Sequence, residues 1–219
     1  MNISVINGSP KPGGSTSELL IKYLLQEIGE CNVQVFKCSM QKAELNKIAG
    51  SDVLVLAFPL YVDSIPAQLL QLLIALEKIK DLNHSMMVYC IVNNGFFEGT
   101  QNYIAIQQIK NWCASANLKW GQGIGIGAGE MLPFIANVPL KHGPNKNIGY
   151  AIGDLAANLL NRQSGKDSFI SPNWPRFLWR MQSTKLFWMP RAKSNRLKKR
   201  DLYRRMKSTP ILQQKERIV

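Results

Sequence analysis

The chain has 219 residues, 46% hydrophobic and 19% charged, the balance of an ordinary soluble globular protein. That length suits one well-buried domain with an appendage and is short for two full domains. The formal net charge of +13 belongs to one end, because sixteen of the 27 Lys/Arg and only three of the 14 Asp/Glu follow Asn161. Residues 1–161 are thus formally neutral, and composition predicts one domain over 1–161 and a basic extension over 162–219. No apolar run approaches the length of a membrane span. The N-terminus lacks the basic start and apolar stretch of a secretory leader, so a cytoplasmic location is expected.

Strand and helix patterns alternate along the neutral part. Residues 3–6 form a short apolar run that ends in Asn7-Gly8-Ser9-Pro10. A helix follows, with Leu19, Leu20, Tyr23, Leu24 and Ile28 on one face and Gly29 near its stop. Residues 33–36 alternate as a strand does. Residues 52–58, D-V-L-V-L-A-F, form a continuous apolar run of the kind found in a parallel strand buried on both faces. Pro66 opens the next helix, carried by Leu69, Leu70, Leu73, Ile74 and Leu76. Residues 86–92 are a fourth strand. Residues 99–117 are a helix with Tyr103, Ile106, Ile109, Trp112 and Cys113 at helical spacing. Residues 118–127 are a glycine-rich fifth strand. Residues 147–160 close the series as a helix with Ile148, Ile152, Leu155, Ala156 and Leu159 inward. Five strands alternating with helices predict an α/β three-layer sandwich around a five-stranded parallel sheet with right-handed crossovers.

The turn after the first strand reads Gly8-Ser9-Pro10-Lys11-Pro12-Gly13-Gly14-Ser15-Thr16-Ser17. In a doubly wound sheet ligands bind beyond the carboxyl ends of the strands, where this turn lies. It also runs into a helix N-terminus, whose outward N–H groups and dipole favour an anion. Ser9, Ser15, Thr16 and Ser17 add hydroxyls, Lys11 adds a cation, and Gly13 and Gly14 let the backbone curl around a phosphate. A plain helix cap, with Ser15 as N-cap and Glu18 three residues on, accounts for two of these residues and needs no ligand. The spacing of a P-loop is absent, since Lys11 precedes the glycines.

Three segments taken together resemble the flavodoxin-like NADPH-dependent FMN reductases and related NAD(P)H-dependent flavoproteins. The first is Gly8-Ser9-Pro10-Lys11 with Gly14-Ser15-Thr16-Ser17, similar to the family's G-S-P-[RK]…[NS]-T-[SA] loop for the FMN phosphate. The resemblance makes Ser9, Lys11, Ser15, Thr16 and Ser17 the phosphate ligands. The second is Phe58-Pro59-Leu60-Tyr61-Val62-Asp63-Ser64-Ile65-Pro66-Ala67, similar to a P-x-Y-x-x-[SG]-x-[PS]-A segment that lines the flavin. The third is Asn93-Asn94-Gly95-Phe96-Phe97-Glu98-Gly99 after the fourth strand, similar in position to the loop that meets the far side of the ring. The likeness covers about residues 1–160. It implies strand order 2-1-3-4-5, FMN as cofactor held also by Pro59, Leu60, Tyr61, Val62, Asn93, Asn94, Gly95 and Phe96, and a homo-oligomer. The implied activity is an oxidoreductase that takes a hydride from NAD(P)H and passes electrons to a flavin, a quinone, or a nitro- or azo-compound. A flavodoxin-type electron carrier, or a binding protein acting through its basic tail, are the alternatives. Since the chemistry is the cofactor's, no catalytic side chain is assigned.

Other features carry less. Some relatives hold an iron–sulfur centre or a redox pair between the second and third strands, but here only Cys38 stands in Cys38-Ser39-Met40-Gln41, too few thiols for a cluster. Cys31, Cys38, Cys90 and Cys113 read as buried, reduced thiols, and His84 and His142 as surface residues, so no metal site is expected. Gly121, Gly123, Gly125, Gly127 and Gly129 alternate, but at the last strand, where a dinucleotide fingerprint has no function. They read as small residues on one closely packed strand face.

In the basic extension Trp174, Phe177, Leu178, Met181 and Trp188 recur at near-helical spacing with Pro175 at the start. A run from Arg191 to Arg200 and on through Arg204, Arg205 and Lys207 follows. Three readings stand open: an aromatic stripe packed on the domain or on a dimer partner, contact with an anionic membrane surface, and nucleic-acid binding. No nucleic-acid-binding motif is present.

Overall fold

The structure, a computed structural model, describes residues 1–38 and 41–204. Ser39, Met40, Arg205 and Lys207 of the segments above therefore lie outside the described residues. Six parallel strands form one sheet: β1 Asn2–Asn7, β2 Asn32–Lys37, β3 Val53–Pro59, β4 Met87–Asn93, β5 Lys119–Ile126 and β6 Ser168–Ile170, in the order β2-β1-β3-β4-β5-β6. The helices between them are α1 Thr16–Ile28, α2 Lys42–Ala49, α3 Ala67–Glu77, α4 Tyr103–Ser115 and α5 Lys146–Leu160.

The sheet separates two apolar layers because β3 and β4 are buried along their whole apolar runs. Leu54, Leu56 and Phe58 of β3 face α2, α3 and α4, with Leu45, Leu69, Leu73, Ile106 and Ile109. Val53, Val55 and Ala57 face α1 and α5, with Leu20, Leu24, Ile152 and Leu155. Alternate side chains of a strand point to opposite faces, so a strand that is apolar at every position needs helices on both.

Helix α2 and strand β6 are not among the elements that the sequence predicts. Helix α2 buries only Leu45, Ile48 and Ala49, too few apolar positions to print a helical period. Strand β6 is three half-buried residues long and lies inside the basic region. It is fixed by side chains rather than by length. Asp167 accepts from Gly123 N at 2.9 Å, Trp120 Nε1 at 3.2 Å and Lys110 Nζ at 3.0 Å. Gln122 Nε2 donates to Lys166 O at 2.8 Å, and Gly127 N donates to Ile170 O at 2.8 Å. The expected five-stranded sheet thus gains a sixth strand. The compact unit built on the sheet runs over Met1–Asn173 and a second begins at Trp174, whereas the compositional break lies at Arg162.

The second unit holds α6 Arg176–Gln182, a π-helical stretch Ser183–Trp188, α7 Met189–Ser194 and a 3-10 turn Lys199–Tyr203. Pro175 is the N-cap residue, as its fixed φ suits.

The glycines of β5 do not share one face. The β4–β5 register shifts so that Val88 pairs with Trp120 and Tyr89 with Gln122. Gly121 is the extra residue of this bulge, and a side chain there would run into the Tyr89 ring. Gly123 instead faces Ile106 of α4, and Gly125 faces Asn102 and Phe169.

Two outcomes follow from this packing. A Cβ on Gly99 would overlap the backbone oxygens of Gly125 and Ile170, whereas one on Gly13 would meet nothing. Gly99→Ala should therefore lower stability by about 3 kcal/mol and Gly13→Ala by no more than about 0.5 kcal/mol, read from urea midpoints. Equal midpoints would refute the packing at the β5–β6 end. The thiols differ as well. Cys31 is exposed and not buried as expected, because it follows the end of α1 at the sheet's margin, whereas burial raises the Cys38 thiol to about 11 and the Cys113 thiol to about 12, and raises Cys90 well above its ordinary value. Because the thiolate is the nucleophile, iodoacetamide at pH 8 should label Cys31 in the native protein. Cys38, Cys90 and Cys113 should react only after unfolding, by mass spectrometry.

Candidate functional site

Four of the loops at the carboxyl edge of the sheet, where Pro59 pairs with Asn93 and Asn93 with Ile126, frame the candidate site. They follow β1, β3, β4 and β5, and the side chains at their roots hold them to one another.

The loop after β1 turns sharply because Gly8 lies against Phe58 and Leu69, leaving no room for a side chain, while its N–H donates to Ala57 O at 2.8 Å. Ser9 N donates to Asn7 Oδ1 at 3.1 Å, and Lys11 N donates to Ser9 Oγ at 3.3 Å. Gly14 adopts φ 61°, open to glycine without strain. Ser15 is the N-cap of α1, and its Oγ accepts from Glu18 N at 3.1 Å. Glu18 Oε2 reaches back to accept from Gly14 N at 3.0 Å. The cap foreseen at Ser15 and Glu18 is formed, displaced by one residue from the reciprocal box.

Thr16 and Ser17 point elsewhere. Thr16 Oγ1 donates to Gly129 O at 3.0 Å, in the segment after β5. Ser17 is buried, and its Oγ accepts from Asn93 Nδ2 at 3.0 Å. Neither hydroxyl sits in the open part of the loop, because each ties α1 to a neighbouring strand end. Ser9 and Ser15, like Ser17, use their oxygens as acceptors and keep their protons to donate; Ser9 is half-buried, and Ser15 is buried at the helix start. Lys11 is exposed, with Nζ 3.4 Å from Gly14 O.

The loop after β3 begins where Leu60 N donates to Asn93 O at 2.7 Å. Tyr61 and Ser64 then exchange backbone hydrogen bonds at 3.1 and 3.0 Å around Val62 and Asp63, with φ of 50° and 55°. Two successive left-handed residues are the signature of a type I′ turn. Val62 is 98% exposed; a β-branched residue there is strained. Gln108 of α4 buttresses the turn by accepting from Ile65 N at 3.2 Å and donating to Ser64 Oγ at 3.1 Å. Tyr61 is half exposed.

The loop after β4 carries Asn93 and Asn94 at its root. Asn93 Nδ2 also donates to Phe58 O at 3.2 Å. Asn94 N donates to Ile126 O, its carbonyl accepts from Gly129 N, and its Nδ2 donates to Glu98 O at 3.2 Å. Asn94 Oδ1 is buried without a protein partner. Gly95 and Phe96 are exposed, and Phe96 O accepts from Ala128 N. After β5, a 3-10 segment Gly129–Ile135 presents Phe134 at 82% exposure.

The edge thus offers hydroxyl and lysine donors on one loop and exposed aromatic residues on three others. Among the described residues no group of three or more His, Cys, Asp or Glu is placed to hold a metal ion. Cys38 Sγ lies 3.9 Å from Asn7 O near this edge, and burial keeps it a thiol at neutral pH. The sequence does not reveal the part played by Gln108, or by the carbonyl of Gly129. Gln108 is one polar residue on a helix with no distinguishing neighbours, and Gly129 acts through its carbonyl, which no side-chain pattern reveals. A cleft at the opposite, amino edge of the sheet is lined by Asn2, Ser4, Asn32, Gln34, Lys47 and Ser51. It lies away from the ligand-binding end of such a sheet.

No family profile and no curated protein matches the sequence. Solved structures do match in shape. An FMN-dependent NADH-azoreductase from Bacillus anthracis str. Ames Ancestor, in complex with FMN, superposes with a TM-score of 0.55 at 13% identity, over 73% of this chain and 99% of that one. An apo NADH:FMN oxidoreductase gives 0.55 at 15% identity, over 75% of this chain and 90% of that one. A flavodoxin from Streptococcus pneumoniae TIGR4 gives 0.51 at 13% identity, over 74% of this chain and 99% of that one. Together with the strand order and the loops at its carboxyl edge, these likenesses establish that the chain has the flavodoxin-like fold.

Proposed function

We propose that the chain binds FMN at the carboxyl edge of its sheet and acts as an NAD(P)H-dependent oxidoreductase. The acceptor is a small molecule such as a flavin, a quinone, or a nitro- or azo-compound. The observation that carries this reading is the loop after β1, where Ser9, Lys11 and Ser15 retain donors beside the N-terminus of a thirteen-residue helix. The azoreductase with the same fold was solved with FMN, which supports the reading.

The donor set fits a phosphate dianion. Lys11 supplies charge, Ser9 and Ser15 supply hydroxyl protons, and the helix supplies N–H groups and its dipole. Thr16 and Ser17 serve the site by holding α1 against Gly129 and Asn93. Glu18 has to release Gly14 N if that amide is to join the phosphate site. Pro59, Leu60, Tyr61 and Val62 would line one side of the ring, and Asn93, Asn94, Gly95 and Phe96 the other. Asn94 Oδ1, without a protein partner, is an acceptor suited to an imide or amide N–H. FMN, when bound, supplies hydride acceptance and onward electron transfer. The protein orients it and keeps it from bulk water.

Ser9→Ala combined with Lys11→Gln removes two donors to a dianion, each contributing about 1.5–3 kcal/mol. FMN affinity should fall more than tenfold, while riboflavin, which has no phosphate, should bind as before. Parallel loss for both ligands would rule out a phosphate role for the loop. The catalytic claim has a separate test. FMN-loaded protein under anaerobic conditions should bleach within seconds of adding NADPH or NADH. Bound flavin that bleaches only with a partner reductase would identify an electron carrier, and failure to hold flavin would leave a binding protein.

A further inference from the structure

The unit that begins at Trp174 carries an apolar surface and a cationic surface on the same short stretch of chain. Residues 174–204 contain ten Lys/Arg and one acid, Asp201. That acid is engaged locally, since its carboxylate accepts from Lys198 N at 2.8 Å. Helices α6 and α7 and the π-helical stretch run without a break over residues 176–194. Along them Phe177 is 72% exposed, Leu186 77% and Trp188 53%. A groove of about 480 Å³ lies within this unit. It is lined by the apolar or aromatic Phe177, Met181, Met189 and Tyr203 and by the basic Arg180, Lys185 and Lys199. Phe187 is capped by the Arg191 guanidinium, 3.3 Å from the ring centroid, which places a cation directly beside an aromatic ring.

We propose that residues 174–204 dock the protein on an anionic phospholipid surface, with Phe177, Leu186 and Trp188 entering the interfacial layer and the surrounding lysines and arginines meeting the headgroup phosphates. The combination of side chains selects this occupant. A second copy of the chain would bring the same excess of positive charge against itself. Nucleic acid would satisfy the cations and could stack on the aromatic rings. It would leave the aliphatic Leu186, Leu197, Met181 and Met189 in water. A bilayer interface takes both, because tryptophan and phenylalanine settle at the headgroup level while basic residues attract anionic lipid. No helix among the described residues is long and apolar enough to cross a membrane, so the contact is peripheral. The proposal is independent of the flavin reading.

The test is flotation of the full chain with phosphatidylcholine vesicles, with and without about a third phosphatidylserine, at low salt. The protein should float only with the anionic vesicles, and binding should weaken roughly tenfold or more at about 0.5 M salt as screening shortens. Trp188→Ser with Leu186→Ser leaves the charge unchanged and should still reduce binding roughly tenfold. Replacing Arg191, Lys193, Arg196, Lys198, Lys199 and Arg200 by glutamine should abolish it. Circular dichroism checks that both variants keep the fold. No flotation with anionic vesicles at low salt would overturn the proposal. So would equal flotation with phosphatidylcholine alone, or binding indifferent to the Trp188→Ser/Leu186→Ser pair. Displacement from the vesicles by DNA at equal phosphate concentration would assign the surface to nucleic acid instead. A change in solution mass in the Trp188→Ser/Leu186→Ser variant, measured by light scattering, would assign it to a second copy.

Discussion

The side-chain amide of Asn93 lies at the end of β4 with only 5% of its surface exposed. It donates to Ser17 Oγ on α1 and to Phe58 O at the end of β3. Three elements from separate parts of the chain therefore share one buried nitrogen. Losing such a partner leaves a buried group unsatisfied, at a cost of about 1–3 kcal/mol, so the three cannot move independently. The start of α1 is where the loop after β1 acquires its shape, and Thr16 fixes it a second time through Gly129. A loop rich in glycine and proline is ordinarily free to sample many shapes. Here its far end is pinned at two buried or half-buried points, so that Ser9 and Lys11 emerge from a defined base beside the buried cap residue Ser15.

Close backbone approach provides a second constraint at the same edge. Gly99 stands against the backbone of β5 and β6, and Gly127 stands against Phe97 and Glu98. These contacts draw the loop after β4 down onto β5, where Ala128 N meets Phe96 O and Asn94 N meets Ile126 O. The consequence for chemistry is that Gly95 and Phe96 are displayed at the tip of a segment whose two ends are both secured. The loop after β3 is secured differently, by the turn at Val62 and Asp63 and by Gln108 behind it.

What could be read from the sequence follows from how each element earns its place. Strands β3 and β4 are buried on both faces, so each prints an unbroken apolar run. Helices α1 and α5 each turn a broad face to the sheet, so Leu20, Leu24, Ile152 and Leu155 recur at helical spacing. Helix α2 turns only Leu45, Ile48 and Ala49 inward, and β6 is held by Asp167 and backbone groups, neither of which leaves a periodic trace. At the site, the glycines, hydroxyls and lysine after β1 were legible because phosphate chemistry demands those residue types. That Thr16 and Ser17 face inward was not, since a serine that braces a helix and one that faces an anion look the same in one dimension. The alternating glycines of β5 misled for a comparable reason: strict alternation implies one face, and the bulge at Gly121 changes the face partway along.

The manner in which β6 is attached bears on how the protein is made. It pairs with β5 alone, and the N–H groups of Gly123 and Gly127 and the indole of Trp120 find their acceptors only in Asp167 and Ile170. During synthesis from the N-terminus, β5 must wait as an open edge until that stretch has left the ribosome, with the strongly cationic segment following behind it. An open edge recruits other strands. Nascent or prematurely ended chains that stop near Arg162 therefore expose the whole of β5 as a pairing edge, whereas β6 covers part of it and leaves a three-residue strand as the edge instead.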